Sequence, residues 1–135
     1  MKFRIWDKET KYLDYDVRIT STDKYEKVEV LDAFSEWREI EDNYHVLMRN
    51  TGLKDKNGNE IYEGDICRWT DPEAFEGEII SYIFVVRYSD EYLKWIGENN
   101  NLYDDLYDFT DDRQLELIGN IYETPELLNE VEEWK

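Results

Sequence analysis

The chain has 135 residues and 16.5 kDa, enough for one domain with a real core and too little for two full ones. Its 34 acidic residues against 16 basic ones give a net charge of −18, which weighs against direct binding of nucleic acid or anionic membranes, because such affinity rests on cations neutralising phosphates. Five Trp and eleven Tyr supply large apolar bodies that can outweigh the entropy cost of ordering, so disorder is disfavoured despite the polarity.

From the N-terminus, Phe3 and Ile5 alternate with Lys2 and Arg4, the period of a half-buried strand over residues 2–6, and the polar run Asp7 to Lys11 then turns the chain. Val28 and Val30 repeat the pattern. "FSEWREIEDN" reads equally as a single helical turn or a loop, and "YHVLMR", residues 44–49, reads as another strand. Beyond residue 60 the β signal strengthens. Gly64 stands where a tight turn or bulge calls for positive φ, and residues 77–89 are too β-branched and aromatic for a helix. "YLKWI" and "LELIGNIY" complete about five short strands between 61 and 122, with Gly119 a candidate bulge. In the tail, Thr124 suits a helix N-cap and Pro125 the first helical position. Leu127, Leu128, Val131 and Trp134 make one apolar stripe, predicting a docked helix over 125–134.

The expected fold class is therefore mainly β (α+β): a small antiparallel SH3-like barrel with an N-terminal β extension and a C-terminal helix. The expected division is an N-terminal β subdomain over 1–50 and the barrel with its helix over 51–135. The opening "MKFRIWDKE" lacks an apolar signal region, and no stretch approaches the roughly 18 apolar residues of a membrane span. These features predict a soluble cytoplasmic protein.

Chemistry has few footholds. "DKNGN" (55–59) resembles the start of a calcium loop, but the sixth position would be Glu60 where glycine is needed, and the twelfth Ile66 where glutamate is needed. Asn57-Gly58 reads better as a type I′ hairpin turn with positive φ at both residues. The lone Cys67 excludes an intramolecular disulfide and sits in an apolar run as a small core residue. His45, the single histidine, falls on the polar side of its strand, and one Cys with one His cannot fill a zinc site. No nucleophile elbow or phosphate loop is present, which predicts no enzyme, no metal and no cofactor.

One constellation remains, "NLYDDLYDFTDDR" (101–113), where Asp104, Asp105, Asp108, Asp111 and Asp112 interleave with Tyr103, Tyr107 and Phe109. It reads as a solvated acidic loop anchored by Leu102, Leu106 and Phe109. As a site, Tyr103, Asp104, Asp105, Tyr107, Asp108, Asp111 and Asp112 form a candidate partner-binding surface for Lys/Arg side chains, through ion pairing and cation–π contact. Carboxylates at this density also suit a metal-dependent activity, which stays as an alternative.

"KFRIWDKETK", "LMRNTGLKDKNGNEIYEGDI" and "LELIGNIYETPELL" occur in this order between residues 2 and 128 and together resemble the YopX family of small phage and prophage proteins from Gram-positive bacteria. The resemblance implies a phage- or prophage-encoded cytoplasmic protein with an SH3-like barrel in its later half. It supplies no catalytic residues and is compatible with homo-oligomers. The functional expectation is a protein-interaction module for basic or proline-containing segments, without direct nucleic-acid or membrane binding. The alternative is an acidic DNA mimic that occupies a DNA-binding protein.

Overall fold

A computed structural model describes residues 1–41, 43–73, 77–78, 80–99, 102–111 and 114–127, with the side chains of all these except Leu102 and Asp111. The fold is mainly β. The elements in chain order are β1 (Phe3–Asp7), β2 (Tyr12–Asp14), β3 (Val17–Ser21), β4 (Glu26–Leu31), β5 (Trp37–Ile40), β6 (His45–Lys54), β7 (Glu60–Tyr62), β8 (Asp65–Thr70), β9 (Ser81–Ser89), β10 (Lys94–Asn99), β11 (Leu102–Asp105), α1 (Leu106–Asp111) and β12 (Leu115–Asn120). The chain forms two compact units, residues 1–50 and 51–135.

In the first unit β1 pairs antiparallel with β2 and with the first half of β6, and β3, β4 and β5 form a separate antiparallel sheet. Two expectations change here. Arg4, placed on the solvent side by alternation, is only 3% exposed, because Arg4, Ile5 and Trp6 are all buried and both faces of β1 are covered. The ambiguous "FSEWREIEDN" is neither helix nor loop in its middle. Trp37–Ile40 is a strand, and the chain reaches it through a turn organised by Asp32, whose Oδ1 accepts the N–H groups of Phe34 and Glu36 at 2.9 and 3.0 Å.

That turn recurs in the second unit. Asp55 N–H donates to the Asn59 carbonyl, Gly58 N–H donates to the Asp55 carbonyl, and Asp55 Oδ1 accepts the N–H groups of Asn57 and Asn59 at 2.9 and 2.8 Å. Asp32 makes the same four bonds with its own loop, and the fourth residue of each loop has positive φ: Ser35 at 62° and Gly58 at 84°. The Asn57-Gly58 reversal is therefore not type I′, since Asn57 keeps negative φ. A carboxylate at the loop's first position satisfies the amides instead, and a single left-handed residue closes the bulge.

The second unit is built on a curled five-stranded antiparallel sheet, β11-β10-β9-β8-β12, with α1 inserted before the last strand, the expected small SH3-like barrel. Tyr62 to Asp65 forms the tight turn into β8. Gly64 has φ 86°, and the buried Asp65 carboxylate accepts Tyr62 N–H at 2.7 Å. On the inner face Ile61, Cys67, Phe84, Val86, Leu106 and Leu115 are buried, with Leu53, Trp69, Trp95, Phe109 and Leu117 packed around them. Burial of each large aliphatic or aromatic side chain here contributes about 1.5–3 kcal/mol. The outer face of β8 and β9 presents Ile66, Ile83 and Val85 to Ile118, Ile121 and Leu127. The ladder slips between Leu117 and Gly119, the bulge expected there, and a Cβ on Gly119 would stand 2.0 Å from Thr124 Oγ1.

The tail differs from expectation at its start. The Thr124 hydroxyl turns back, accepting Asn120 N–H and donating to the Asn120 carbonyl, rather than capping the amides that follow. Leu127 is the first helical residue described; the rest of the predicted helix, 128–134, lies outside the described residues.

Candidate functional site

β8 and β9 are cross-strand neighbours with Trp69 opposite Tyr82, so on one face of the sheet Trp69 and Asp71 run beside Tyr82 and Phe84. Across β9, Gly97 pairs with Val86 and with Asp104, which brings Gly97, Asn99 and Asp104 to the same face. Phe109 enters from α1. Together these residues line a cavity of about 460 Å3 at one open end of the inner face.

The rings form a continuous wall. Trp69 stacks on Tyr82 with centroids 5.7 Å apart and planes 21° apart, Phe109 stacks on Phe84 at 4.6 Å and 25°, and Trp69 meets Phe109 at 5.7 Å, tilted by 59°. Phe84 is buried while Tyr82 is half exposed, so the wall grades from core to solvent. Gly97 is required by space, since a Cβ there would lie 2.4 Å from the Phe84 ring. The polar lining is acceptor-rich: the Asp71 and Asp104 carboxylates and the Asn99 amide, with no Lys or Arg among the described lining residues. Asp71 Oδ1 accepts Glu73 N–H at 2.9 Å, and Asn99 Oδ1 is shielded from solvent without a hydrogen-bond partner. Aromatic faces and carboxylates together favour a cation.

The segment 101–113, expected as a loop, is ordered over its described residues as β11 and α1, because Leu106 is wholly buried and Phe109 packs into the aromatic wall. This geometry divides the predicted surface. Asp104 lines the cavity. Tyr103 and Asp105 alternate to the opposite face of β11, where the Tyr103 hydroxyl donates to that of Tyr92 at 2.6 Å and Asp105 pairs with Lys94 at 3.5 Å. The hydrogen bond to Tyr92, reinforced by neighbouring negative charge, pushes the Tyr103 phenol up to about 12. Tyr107 and Asp108 are exposed on α1, which also holds the Asp111 backbone, and Asp112 lies outside the described residues. Trp69, Asp71, Tyr82, Phe84 and Asn99 are cavity residues that the acidic-run argument missed. The residues i and i+2 on two strands, Trp69/Asp71 and Tyr82/Phe84, carried the signal.

Other candidates have structural roles. Asp55 is 7% exposed, and besides its loop amides its Oδ2 accepts Leu117 N–H of β12 at 3.0 Å. Burial pushes this carboxyl up, but the bonds from Leu117, Asn59 and Asn57 more than offset that and hold it below the usual carboxylate range. Asp7 Oδ2 engages His45 Nε2 at 3.3 Å within the first unit. Cys67 lies in the barrel core, where burial pushes its thiol well up and the charges of Asp65 and Asp55 add to the effect. Among the described residues no three His, Cys, Asp or Glu side chains are placed to hold a metal, and no helix is long and apolar enough to cross a membrane.

The YopX protein family matches residues 2–129. The chain belongs to the YopX family. Its fold is similar to that of protein EF1440 from Enterococcus faecalis, 27% identical over 94% of this chain and 96% of the other, with a TM-score of 0.58. It is also similar to protein yopX from Bacillus subtilis, 20% identical over 95% of each chain, with a TM-score of 0.61. No curated protein matches. The "TGLKDKNGNEIYEGD" segment lies within the matched residues and builds turns here, Asp55 and Gly58 one and Gly64 and Asp65 the next. The match itself indicates no catalytic family.

Proposed function

We propose that this YopX-family chain is a non-catalytic, phage- or prophage-encoded interaction module of the host cytoplasm, and that its barrel cavity takes a basic side chain from an extended protein segment. The observation that carries this reading is the meeting of four aromatic rings with the Asp71 and Asp104 carboxylates at one open end of the barrel, with no Lys or Arg lining it among the described residues. A cation over such rings gains about 0.5–2 kcal/mol from the ring faces alone, and more when the site is shielded from water. The overall charge of −18 adds long-range attraction for basic partners. A proline-containing segment would suit the same exposed rings.

The test is a titration of the isotope-labelled protein with a Lys/Arg-containing peptide, following the Trp69 indole N–H and the amides of Tyr82, Gly97 and Asp104. Saturable shifts centred on these groups, weakened in Trp69→Ala, are expected. Shifts spread over the acidic surface, or confined to Tyr107 and Asp108, would place the partner surface elsewhere. Competition by duplex DNA for a captured DNA-binding protein would favour mimicry instead. Localised saturation at Asp104, Asp105 and Asp108 by magnesium or manganese would revive the metal alternative.

A further inference from the structure

We infer that Asn57 is a latent deamidation site, held inert in the folded chain by the Asp55 carboxylate around which its loop is built.

Asn57-Gly58 is the single Asn-Gly pair in the sequence. Such a pair can rearrange without a catalyst. The Gly58 backbone nitrogen gives up its proton to water and attacks the Asn57 side-chain carbonyl carbon, the bond from that carbon to the amide nitrogen breaks, ammonia leaves, and a five-membered succinimide remains. Water then opens the ring at either carbonyl, giving aspartate or isoaspartate at position 57. Glycine favours the attack because no side chain shields its nitrogen. Neither sterics nor burial protects this pair, since Asn57 and Gly58 are both exposed and nothing beyond the chain neighbours lies within 4 Å of where a Gly58 Cβ would stand.

The hydrogen bonds act the other way. Gly58 N–H donates to the Asp55 carbonyl at 3.1 Å, which holds the proton that must leave. Asp55 Oδ1 accepts Asn57 N–H at 2.9 Å on one side of the Gly58 nitrogen and Asn59 N–H at 2.8 Å on the other. The backbone on both sides is thereby fixed, and the nitrogen cannot turn against the side-chain carbon. The carboxylate charge also disfavours the amide anion that the attack requires. Its second oxygen accepts Leu117 N–H at 3.0 Å, so the cage is anchored to β12 and opens only when that bond and the loop bonds break together. Either product would loosen it. Isoaspartate adds one backbone carbon between Asp55 and Asn59, which exchange bonds across the loop, and aspartate sets a second carboxylate beside that of Asp55.

The experiment incubates the full chain at mildly alkaline pH, folded and in guanidinium chloride, and reads conversion at position 57 by peptide mapping that separates both products from the parent. The folded chain should convert at least about tenfold more slowly, a protection that an opening cost of about 1.4 kcal/mol already supplies. Asp55→Ala, under conditions where Trp emission shows it folded, should approach the rate of the denatured chain, and its Gly58 amide should lose protection from hydrogen exchange. Equal rates in the folded and denatured parent overturn the inference. So does a folded Asp55→Ala that converts as slowly as the parent. If Asp55→Ala does not fold, Asp55→Asn, which keeps one acceptor oxygen and loses the charge, takes its place; it should convert faster than the parent, and no acceleration in it overturns the role of Asp55.

Discussion

Replacing Asp55 by alanine removes one carboxylate that serves four donors: Asn57 N–H at 2.9 Å, Asn59 N–H at 2.8 Å, Asn59 Nδ2 at 3.2 Å and Leu117 N–H at 3.0 Å. The four losses are not equal. Asn57 and Asn59 are exposed, so water can take over their donors and each costs about 0.5–1 kcal/mol. Leu117 sits beside the bulge in β12, where its amide has no such replacement, and leaving it unmet costs about 1–3 kcal/mol. The sum is about 2.5–6 kcal/mol, a large share of the 5–15 kcal/mol typical of a domain. Asp55→Asn keeps one acceptor oxygen and should lose about half as much. Urea unfolding followed by Trp emission reads the total, and hydrogen exchange at Leu117 reads the long-range bond. Because the folded carboxyl sits below its ordinary value, its contribution is present above the unfolded pKa of about 3.9 and is lost as pH falls through the lower folded value. The parent and Asp55→Ala stability curves should therefore separate at neutral pH and converge in acid. A loss below about 0.5 kcal/mol, or unchanged exchange at Leu117, would refute the view that this carboxylate pins the loop to β12.

Gly97→Ala drives a methyl to within 2.4 Å of the Phe84 ring and should cost about 1–3 kcal/mol while shifting Trp69 emission; an unchanged urea midpoint would show that the ring yields freely. Cys67 should resist thiol reagents at mildly alkaline pH until denaturant opens the barrel, since burial above all, then the Asp65 and Asp55 charges, hold its thiol protonated; rapid labelling of the folded protein contradicts this. Phenolate absorbance should show one tyrosine ionising at about 12, and Tyr103→Phe should abolish that late step. Its folded value lies above the unfolded value of about 10, so the Tyr92–Tyr103 contact stabilises fully below pH 10 and fades as pH rises through the folded value.

Composition and local pattern alone determined that the chain is mainly β, that Gly64 takes positive φ, that Gly119 marks a bulge, and that Cys67 is core. These are short-range matters: period-2 alternation, the left-handed freedom of glycine and the apolarity of a single run act within a few residues. The turn at 55–59 was legible as a reversal but not in type, because Asn57-Gly58 also suits type I′ and the choice rested on the Asp55 carboxylate bonding its own loop amides, as Asp32 does in the first unit. Arg4 was misplaced because alternation assumes one wet face, and only the folded chain shows that β1 has none. The cavity was least legible of all. Its lining comes from β8, β9, β10, β11 and α1, and of the described residues in the dense run 101–113, which draws the eye in the sequence, Asp104 and Phe109 line it. Strand alternation sends Tyr103 and Asp105 to the other face, and helix periodicity sends Tyr107 and Asp108 outward. Residues adjacent in sequence are therefore separated by the pleat, while Trp69, Tyr82 and Phe109, far apart in sequence, are brought within ring contact by sheet pairing and by α1 packing on the core.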